Sequence, residues 1–152
     1  MANRVDHVSF TVADLDRSIP FYRDLLGFKL NHVVEREDLP SYDALLGYSN
    51  IRLRIASFAL PASDITLELM QFRHPRPATR GQDLLFVGTP HLAYLVDDLN
   101  AEFIRLRSLG GRFLSGVTEI HREGRYVGKA VFLLDPDDIL IEPMEVSKGD
   151  TK

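Results

Sequence analysis

The sequence predicts an α+β fold in which two βαβββ modules follow one another. The first observation is that the strand-like motif of residues 6–12 returns in residues 91–96, and each copy leads into an aspartate-rich helix start. The second is that, in both copies, a histidine lies 20 residues before a glycine. The third is that each half closes on an apolar strand interrupted by one glutamate. The duplication therefore organises the whole chain.

Length and composition are those of an ordinary globular protein, because 45% of its 152 residues are hydrophobic and 26% are charged. The net charge, 18 minus 22 or −4, gives no basic surface for nucleic acid. No apolar run approaches the roughly 20 residues that span a bilayer, and the N-terminus lacks a signal-peptide core, so we expect a cytoplasmic protein. Cysteine is absent, which limits metal ligands to nitrogen and oxygen.

The first module, about residues 4–73, begins with a strand over residues 5–12, where apolar and polar side chains alternate. Asp14 or Asp16 can cap the following helix, Pro20 is expected in or near its first turn, and Gly27 is the expected C-cap. Three strands complete the module, at residues 28–35, 51–56 and 65–72, with a helical turn around Tyr42–Leu46.

A connector rich in proline and glycine, about residues 74–88, leads to the second module, about residues 89–147, and we expect the whole chain to form a single domain. The second module repeats the order with a strand at 90–97, a helix at about 98–109, and strands at 112–115, 127–134 and 139–146. The polar stretch from Gly116 to Arg125 is expected to be a long loop, whose residues 121–125 are either surface or a flap over a cleft.

Four side chains lie opposite the apolar faces of their strands: His7, Glu68, His91 and Glu142. If the two sheets curl toward each other, these side chains line one cleft. Two imidazoles and two carboxylates suit one divalent ion, Ni²⁺, Zn²⁺, Fe²⁺, Mn²⁺ or Co²⁺, with positions left for water or substrate. A lone histidine or glutamate on a strand is usually only solvated. The duplicated positions, and the apolar neighbours of both glutamates, favour a shared metal site.

Three further residues are candidate substrate contacts. Arg54 could bind an anionic substrate group through two hydrogen bonds, and its alternative is a solvated edge strand whose cations discourage aggregation. Met70 and Met144 flank the two glutamates on the same strand faces and could provide apolar walls for the substrate.

Residues 6–28, DHVSFTVADLDRSIPFYRDLLGF, resemble the opening signature of the vicinal oxygen chelate superfamily. That superfamily includes glyoxalase I, methylmalonyl-CoA epimerase, extradiol dioxygenases and bleomycin-resistance proteins. Residues 88–94 and 132–142 are similar to its second-module signatures. The resemblance covers nearly the whole chain and implies paired βαβββ modules that form a curled mixed sheet around a metal-binding cleft. Asp138 departs from the pattern, since the family usually has glycine there.

The resemblance implies that His7, Glu68, His91 and Glu142 bind the divalent metal, a ligand set most similar to that of bacterial glyoxalase I. It further implies a lyase or isomerase acting on a small substrate with vicinal oxygens. In that chemistry the metal stabilises an enediolate, and Glu142, Glu68 or both move a proton between adjacent carbons. A homodimer is the expected assembly, with neither nucleic acid nor membrane as a partner.

Two other functions remain open at this point. An Fe(II) extradiol-type ring-cleaving dioxygenase could use His7, His91 and Glu142, but Glu68 argues against it because a fourth protein ligand removes a position needed for dioxygen and catechol. A non-catalytic, drug-sequestering binding protein needs no metal and generally lacks this ligand set. The complete set of four therefore favours the lyase or isomerase.

Overall fold

The computed structural model describes residues 3–78 and 84–147 and divides the chain into two compact units, Met1–Arg80 and Gly81–Lys152. The boundary falls inside the predicted connector, of which residues 79–83 lie outside the described residues. The predicted α+β class is confirmed: strands predominate, and they form one sheet in each unit. That the whole chain is a single domain stays a prediction. In the described part of the chain, no helix is both long and apolar enough to cross a membrane.

The first unit follows the predicted βαβββ order and adds a short helix before its third strand. Its elements are β1 (His7–Thr11), α1 (Leu15–Pro20), a π-helix (Phe21–Leu25), β2 (Lys29–Arg36), α2 (Pro40–Leu46), β3 (Arg52–Ala59) and β4 (Thr66–His74). The strands lie in the order β1-β4-β3-β2. β1 runs parallel to β4, and the other neighbours are antiparallel.

The second unit repeats this arrangement. Its elements are β5 (His91–Leu95), α3 (Leu99–Ser108), β6 (Arg112–Phe113), β7 (Thr118–Arg122), β8 (Arg125–Ala130), β9 (Leu133–Leu134) and β10 (Leu140–Val146). β5 runs parallel to β10, as β1 does to β4, and β8 and β7 follow on the other side. The predicted strand at 127–134 is two strands, because β8 and β9 pair with different parts of β10.

The prediction of a loop or flap from Gly116 to Arg125 is wrong. Half of this stretch is β7, which forms a hairpin with β8 through a tight turn at Glu123 and Gly124, where φ is 52° and 76°. Among the residues of β7 only Ile120 is partly buried, and the others are exposed. The strand therefore lacks the alternation of apolar and polar residues by which a half-buried strand is recognised.

Pro20 is the last residue of α1 rather than part of its first turn. Because proline has no N–H, it cannot donate to the carbonyl four residues earlier, and the α-helical ladder changes here into a π-helix. The N–H of Leu26 accordingly donates to the carbonyl of Phe21, five residues back. The predicted cap is confirmed in Asp14, whose side chain accepts from the Asp16 N–H at 3.0 Å. Gly27 has a φ of 77°, as the expected C-cap requires.

In the first unit, a side chain of β4 anchors the start of α1 to the sheet. The N–H of Leu15, the first residue of α1, donates to Oε1 of Gln71 at 3.3 Å. The same oxygen accepts from Nη1 of Arg54 at 3.3 Å, and Arg54 lies directly opposite Gln71 on β3. The face of the sheet that carries Gln71 is therefore the face covered by the helix.

The second unit contains the same anchor with an ionised acceptor. The N–H of Leu99, the first residue of α3, donates to Oε2 of Glu145 at 2.9 Å. Nζ of Lys129 lies 3.4 Å from Oε1 of that carboxylate, and Lys129 is opposite Glu145 on β8. Glu145 follows Glu142 by three residues, as Gln71 follows Glu68. Both glutamates of the predicted site thus lie on the opposite face of their strand from the helix.

Candidate metal centre

In the first unit, β1 and β4 bring His7 and Glu68 together. His7 lies opposite Thr66 in the parallel pairing, so Glu68 is two residues further along β4. An offset of two keeps both side chains on one face, since successive side chains of a strand alternate. The distance from His7 Nε2 to Glu68 Oε2 is 3.8 Å.

The second unit repeats this pair with the same offset. His91 lies opposite Leu140 on β10, and Glu142 is two residues further along that strand. The distance from His91 Nε2 to Glu142 Oε2 is 3.4 Å. The predicted histidines and glutamates are therefore paired within each half of the chain.

The geometry of each pair fits two ligands of one divalent ion. Two ligand atoms at about 2.0–2.2 Å from a shared ion are about 3.0–3.5 Å apart, so His91 and Glu142 need no rearrangement and His7 and Glu68 need only a small one. An imidazole nitrogen and a carboxylate oxygen are donors that Zn²⁺, Ni²⁺, Fe²⁺, Mn²⁺ and Co²⁺ all accept. Within neither unit do the described residues include a group of three or more His, Asp or Glu that could hold a metal. Each unit contains one His–Glu pair.

The four side chains are accessible to different extents. The imidazoles of His7 and His91 are 44% and 43% exposed, whereas the carboxylates of Glu68 and Glu142 are 25% and 17% exposed. The glutamates are the more enclosed because their strands lie between two neighbours, whereas β1 and β5 each pair with one strand in the described part of the chain. Each pair therefore combines a half-open nitrogen donor with a more enclosed oxygen donor.

Asp6 contacts His7 from the side opposite Glu68, and sequence analysis did not single it out. Oδ2 of Asp6 lies 3.0 Å from Nδ1 of His7. This hydrogen bond is the main cause that raises the pKa of His7; burial opposes it, and the negative charge of Glu68 adds to it. The same hydrogen bond lowers the pKa of Asp6. The signal in the sequence was an aspartate directly before the first histidine of the motif.

Phe132 is the second residue that sequence analysis missed. Its ring lies edge-on to the His91 ring, with 5.7 Å between the ring centroids. It belongs to the short irregular segment between β8 and β9, where no strand periodicity marks its direction. The two histidines therefore have different neighbours, a carboxylate at His7 and an aromatic ring at His91.

The structure gives Arg54 neither of the two predicted environments. It lies on the helix-covered face of β3, opposite Gln71, whereas Glu68 pairs with Ser57 on the other face. Its guanidinium is 3.1 Å from Asp16 and 3.6 Å from Glu35. β3 lies between β2 and β4, so the edge-strand interpretation is wrong. A substrate-binding role for Arg54 has no support in this placement.

Met70 and Met144 lie on the same strand faces as the glutamates, as the alternation predicts. Met70 is partly buried against an apolar cluster of Ile51, Leu53 and Ile55. Met144 is partly buried opposite Ala130 on β8. Contact of either methionine with a substrate stays a prediction.

The fold and the paired histidines and glutamates define a duplicated βαβββ protein with a candidate metal centre. A family profile described as the Glyoxalase/Bleomycin resistance protein/Dioxygenase superfamily matches residues 4–142. The lactoylglutathione lyase of Haemophilus influenzae is 30% identical over 141 residues, which cover 91% of this chain and 90% of that protein. The uncharacterized protein YwbC of Bacillus subtilis is 26% identical over 143 residues, 93% of this chain and 97% of that protein.

Among solved structures, a glyoxalase family protein from Bacillus cereus superposes with a TM-score of 0.82. The superposition covers 96% of this chain and 95% of that chain at 22% sequence identity, so it shows a shared fold. The chain belongs to the Glyoxalase/Bleomycin resistance protein/Dioxygenase superfamily.

Proposed function

We propose that this protein is a divalent-metal-dependent lyase or isomerase of the glyoxalase type, acting on a small substrate with vicinal oxygens. The observation that carries the proposal is the repetition of the His–Glu pair at the same strand offset in both units. The 30% identity to a lactoylglutathione lyase, over nearly the whole of both chains, supports this class of reaction.

The residues that would hold the metal are His7, Glu68, His91 and Glu142, which provide two nitrogen and two oxygen donors. When bound, the ion acts as a Lewis acid that polarises the two vicinal oxygens of the substrate. The imidazoles have to be neutral to serve as ligands, and the carboxylates have to be ionised. The donor set does not choose among Ni²⁺, Zn²⁺, Fe²⁺, Mn²⁺ and Co²⁺.

Proton transfer falls to the carboxylates, because the proposed reaction moves a proton from one carbon to its neighbour and needs a base that then returns it. Glu142, Glu68 or both serve as that base. Both are on the helix-free faces of their strands and incompletely buried, so each can reach a substrate. Arg54 takes no part, since it lies on the opposite face of its sheet from Glu68.

The test combines metal analysis with turnover of a hemithioacetal. We expect purified wild-type protein to bind a divalent ion and to isomerise the hemithioacetal of a 2-oxoaldehyde and a thiol. Glu142→Gln and Glu68→Gln should each lower metal affinity or kcat, by about 10²-fold or more for the residue that acts as the base. Glu119→Gln is the matched control, since it removes the same charge from an exposed residue of β7. Full activity in both site variants would contradict the proposal.

A second assay separates this reaction from the iron-dependent alternative. Oxygen uptake is measured with a panel of catechols after the protein is loaded with Fe²⁺. We expect no uptake, because a fourth protein ligand leaves too few positions for both dioxygen and catechol. Catechol cleavage without hemithioacetal isomerisation would replace the proposal with the dioxygenase.

Light scattering of the eluted protein tests the expected homodimer.

A further inference from the structure

We propose that Asp6 is a positioning residue that fixes the tautomer and orientation of His7, so that the lone pair of Nε2 faces Glu68. The inference rests on the proposed function, because it assumes that His7 is a metal ligand. It concerns the first unit only and uses residues whose contacts lie within that unit.

The hydrogen-bonding capacities of the two groups determine the tautomer. An ionised carboxylate only accepts hydrogen bonds, so the 3.0 Å contact between Asp6 Oδ2 and His7 Nδ1 requires the proton to be on Nδ1. In the neutral ring, Nε2 then carries a lone pair. The 3.8 Å from Nε2 to Glu68 Oε2 is too long for a hydrogen bond. Two acceptor atoms thus face each other with no proton between them, an arrangement that a cation completes.

The backbone of Asp6 is fixed to the sheet, and its exposed carboxylate lies near one further cation. Its carbonyl accepts from the N–H of Thr66 at 3.2 Å, which connects it to the strand that carries Glu68. Its other carboxylate oxygen, Oδ1, lies 3.6 Å from Nη2 of Arg4. The carboxylate therefore approaches His7 from a backbone that is already in register with β4. Outer contacts of this kind orient metal-binding imidazoles and raise their basicity.

The second unit offers an internal comparison. Pro90 precedes His91, so this histidine has no carboxylate from the residue before it and instead contacts the ring of Phe132. A change at Asp6 should therefore alter the ring of His7 and leave the ring of His91 unchanged.

The first measurement uses metal-free protein and ¹⁵N–¹H NMR of the histidine rings, at a pH where both rings are neutral. We expect the Nδ1–H tautomer at His7 in wild type. Asp6→Ala should shift His7 toward the Nε2–H tautomer. Asp6→Asn should shift it less, because its amide oxygen can still accept from Nδ1–H while its NH₂ can also donate to Nδ1. An Nε2–H tautomer in wild type, an unchanged tautomer in Asp6→Ala, or an equal change at His91 would overturn the proposal.

The second measurement is the affinity for Zn²⁺ and Ni²⁺ by competition with a chelator. We expect Asp6→Ala to weaken binding about 10–100-fold and Asp6→Asn to weaken it less. Asp64→Ala, at an exposed turn position, is the charge-matched control and should bind as wild type does. If wild type binds neither of these ions, nor Fe²⁺, Mn²⁺ or Co²⁺ in the same competition, the proposed function fails, while the tautomer still decides the role of Asp6. If wild type and Asp6→Ala bind equally well, the positioning role is overturned and the proposed function stands.

Discussion

Glu145 connects three elements of the second unit, and its removal gives the sharpest test of the anchor between helix and sheet. Its carboxylate accepts from the N–H of Leu99 at the start of α3 and lies 3.4 Å from Nζ of Lys129 on β8. The side chains of Glu145 and Lys129 are 24% and 21% exposed. We predict that Glu145→Ala destabilises the protein substantially and that Glu145→Gln has about half that effect.

The magnitudes follow from what each variant leaves unpaired. Glu145→Ala loses a hydrogen bond to a charged acceptor, about 1.5 kcal/mol, and leaves the largely buried ammonium of Lys129 without its partner, about 1.5 kcal/mol more. The expected decrease in unfolding free energy is therefore about 3 kcal/mol. Glu145→Gln keeps an amide oxygen for the Leu99 N–H and loses only the charge, so the expected decrease is about 1.5 kcal/mol. Gln71 shows that an amide can serve in this position, since it accepts from Leu15.

Urea denaturation followed by circular dichroism measures both values. In a chain of this length, about 3 kcal/mol corresponds to a Tm lower by about 6–12 °C. The control is Glu37→Ala, which removes an exposed glutamate just after β2 in the other unit and should change stability by less than about 0.5 kcal/mol. If Glu145→Ala and Glu145→Gln are equally stable, the charge has no role. If Glu145→Ala matches the control, the anchor as a whole contributes nothing.

Three further predictions concern the backbone and the metal. Gly128→Ala should lower the unfolding free energy, measured by denaturant titration, by at least about 3 kcal/mol. The reason is that a Cβ at this position would overlap the carbonyl oxygen of Glu145, and φ is 153°. A decrease below about 1 kcal/mol would contradict this. Asp138→Gly should be about 1 kcal/mol more stable than Asp138→Ala, because φ is 64° at this position and glycine adopts this left-handed conformation without strain. Equal stability of the two variants would show that the backbone is not strained here. A bound divalent ion at 100 times its Kd should raise the unfolding free energy by about 2.7 kcal/mol, and a chelator should reverse the gain; no change in Tm would speak against metal binding.

The sequence predicted the fold class because both modules repeat the same local signals. Asp14 and Asp98 cap their helices through side-chain hydrogen bonds, and a period of two marks the half-buried strands. It failed where those signals are absent or ambiguous. β7 has almost no buried face, and the proline of α1 gave no sign that a π-helix would follow. Element type was therefore predictable wherever one face of the element is buried.

For the candidate site, the alternation predicted which strand face each ligand occupies, but it could not predict register. Register depends on backbone hydrogen bonds between strands that are about 60 residues apart in the first unit and about 50 apart in the second. The prediction for Arg54 failed because its contacts come from other elements of the fold. Its alternating cationic pattern indicated a solvated face, yet its acidic partners Asp16 and Glu35 come from α1 and β2, which no local pattern connects to it.

Register is nevertheless the property on which each His–Glu pair, and with it the proposed metal centre, depends. A slip of one residue between β1 and β4 would move Glu68 by about 3.3 Å and rotate it to the helix-covered face, where it could not meet His7. The same slip between β5 and β10 would remove Glu142 from His91. Because both units show the same offset, the positions of the ligands follow from the duplicated strand pairing, whereas their chemical tuning differs between a carboxylate at His7 and an aromatic ring at His91. Substitutions at Asp6 and Phe132 should therefore alter the His7–Glu68 pair and the His91–Glu142 pair independently.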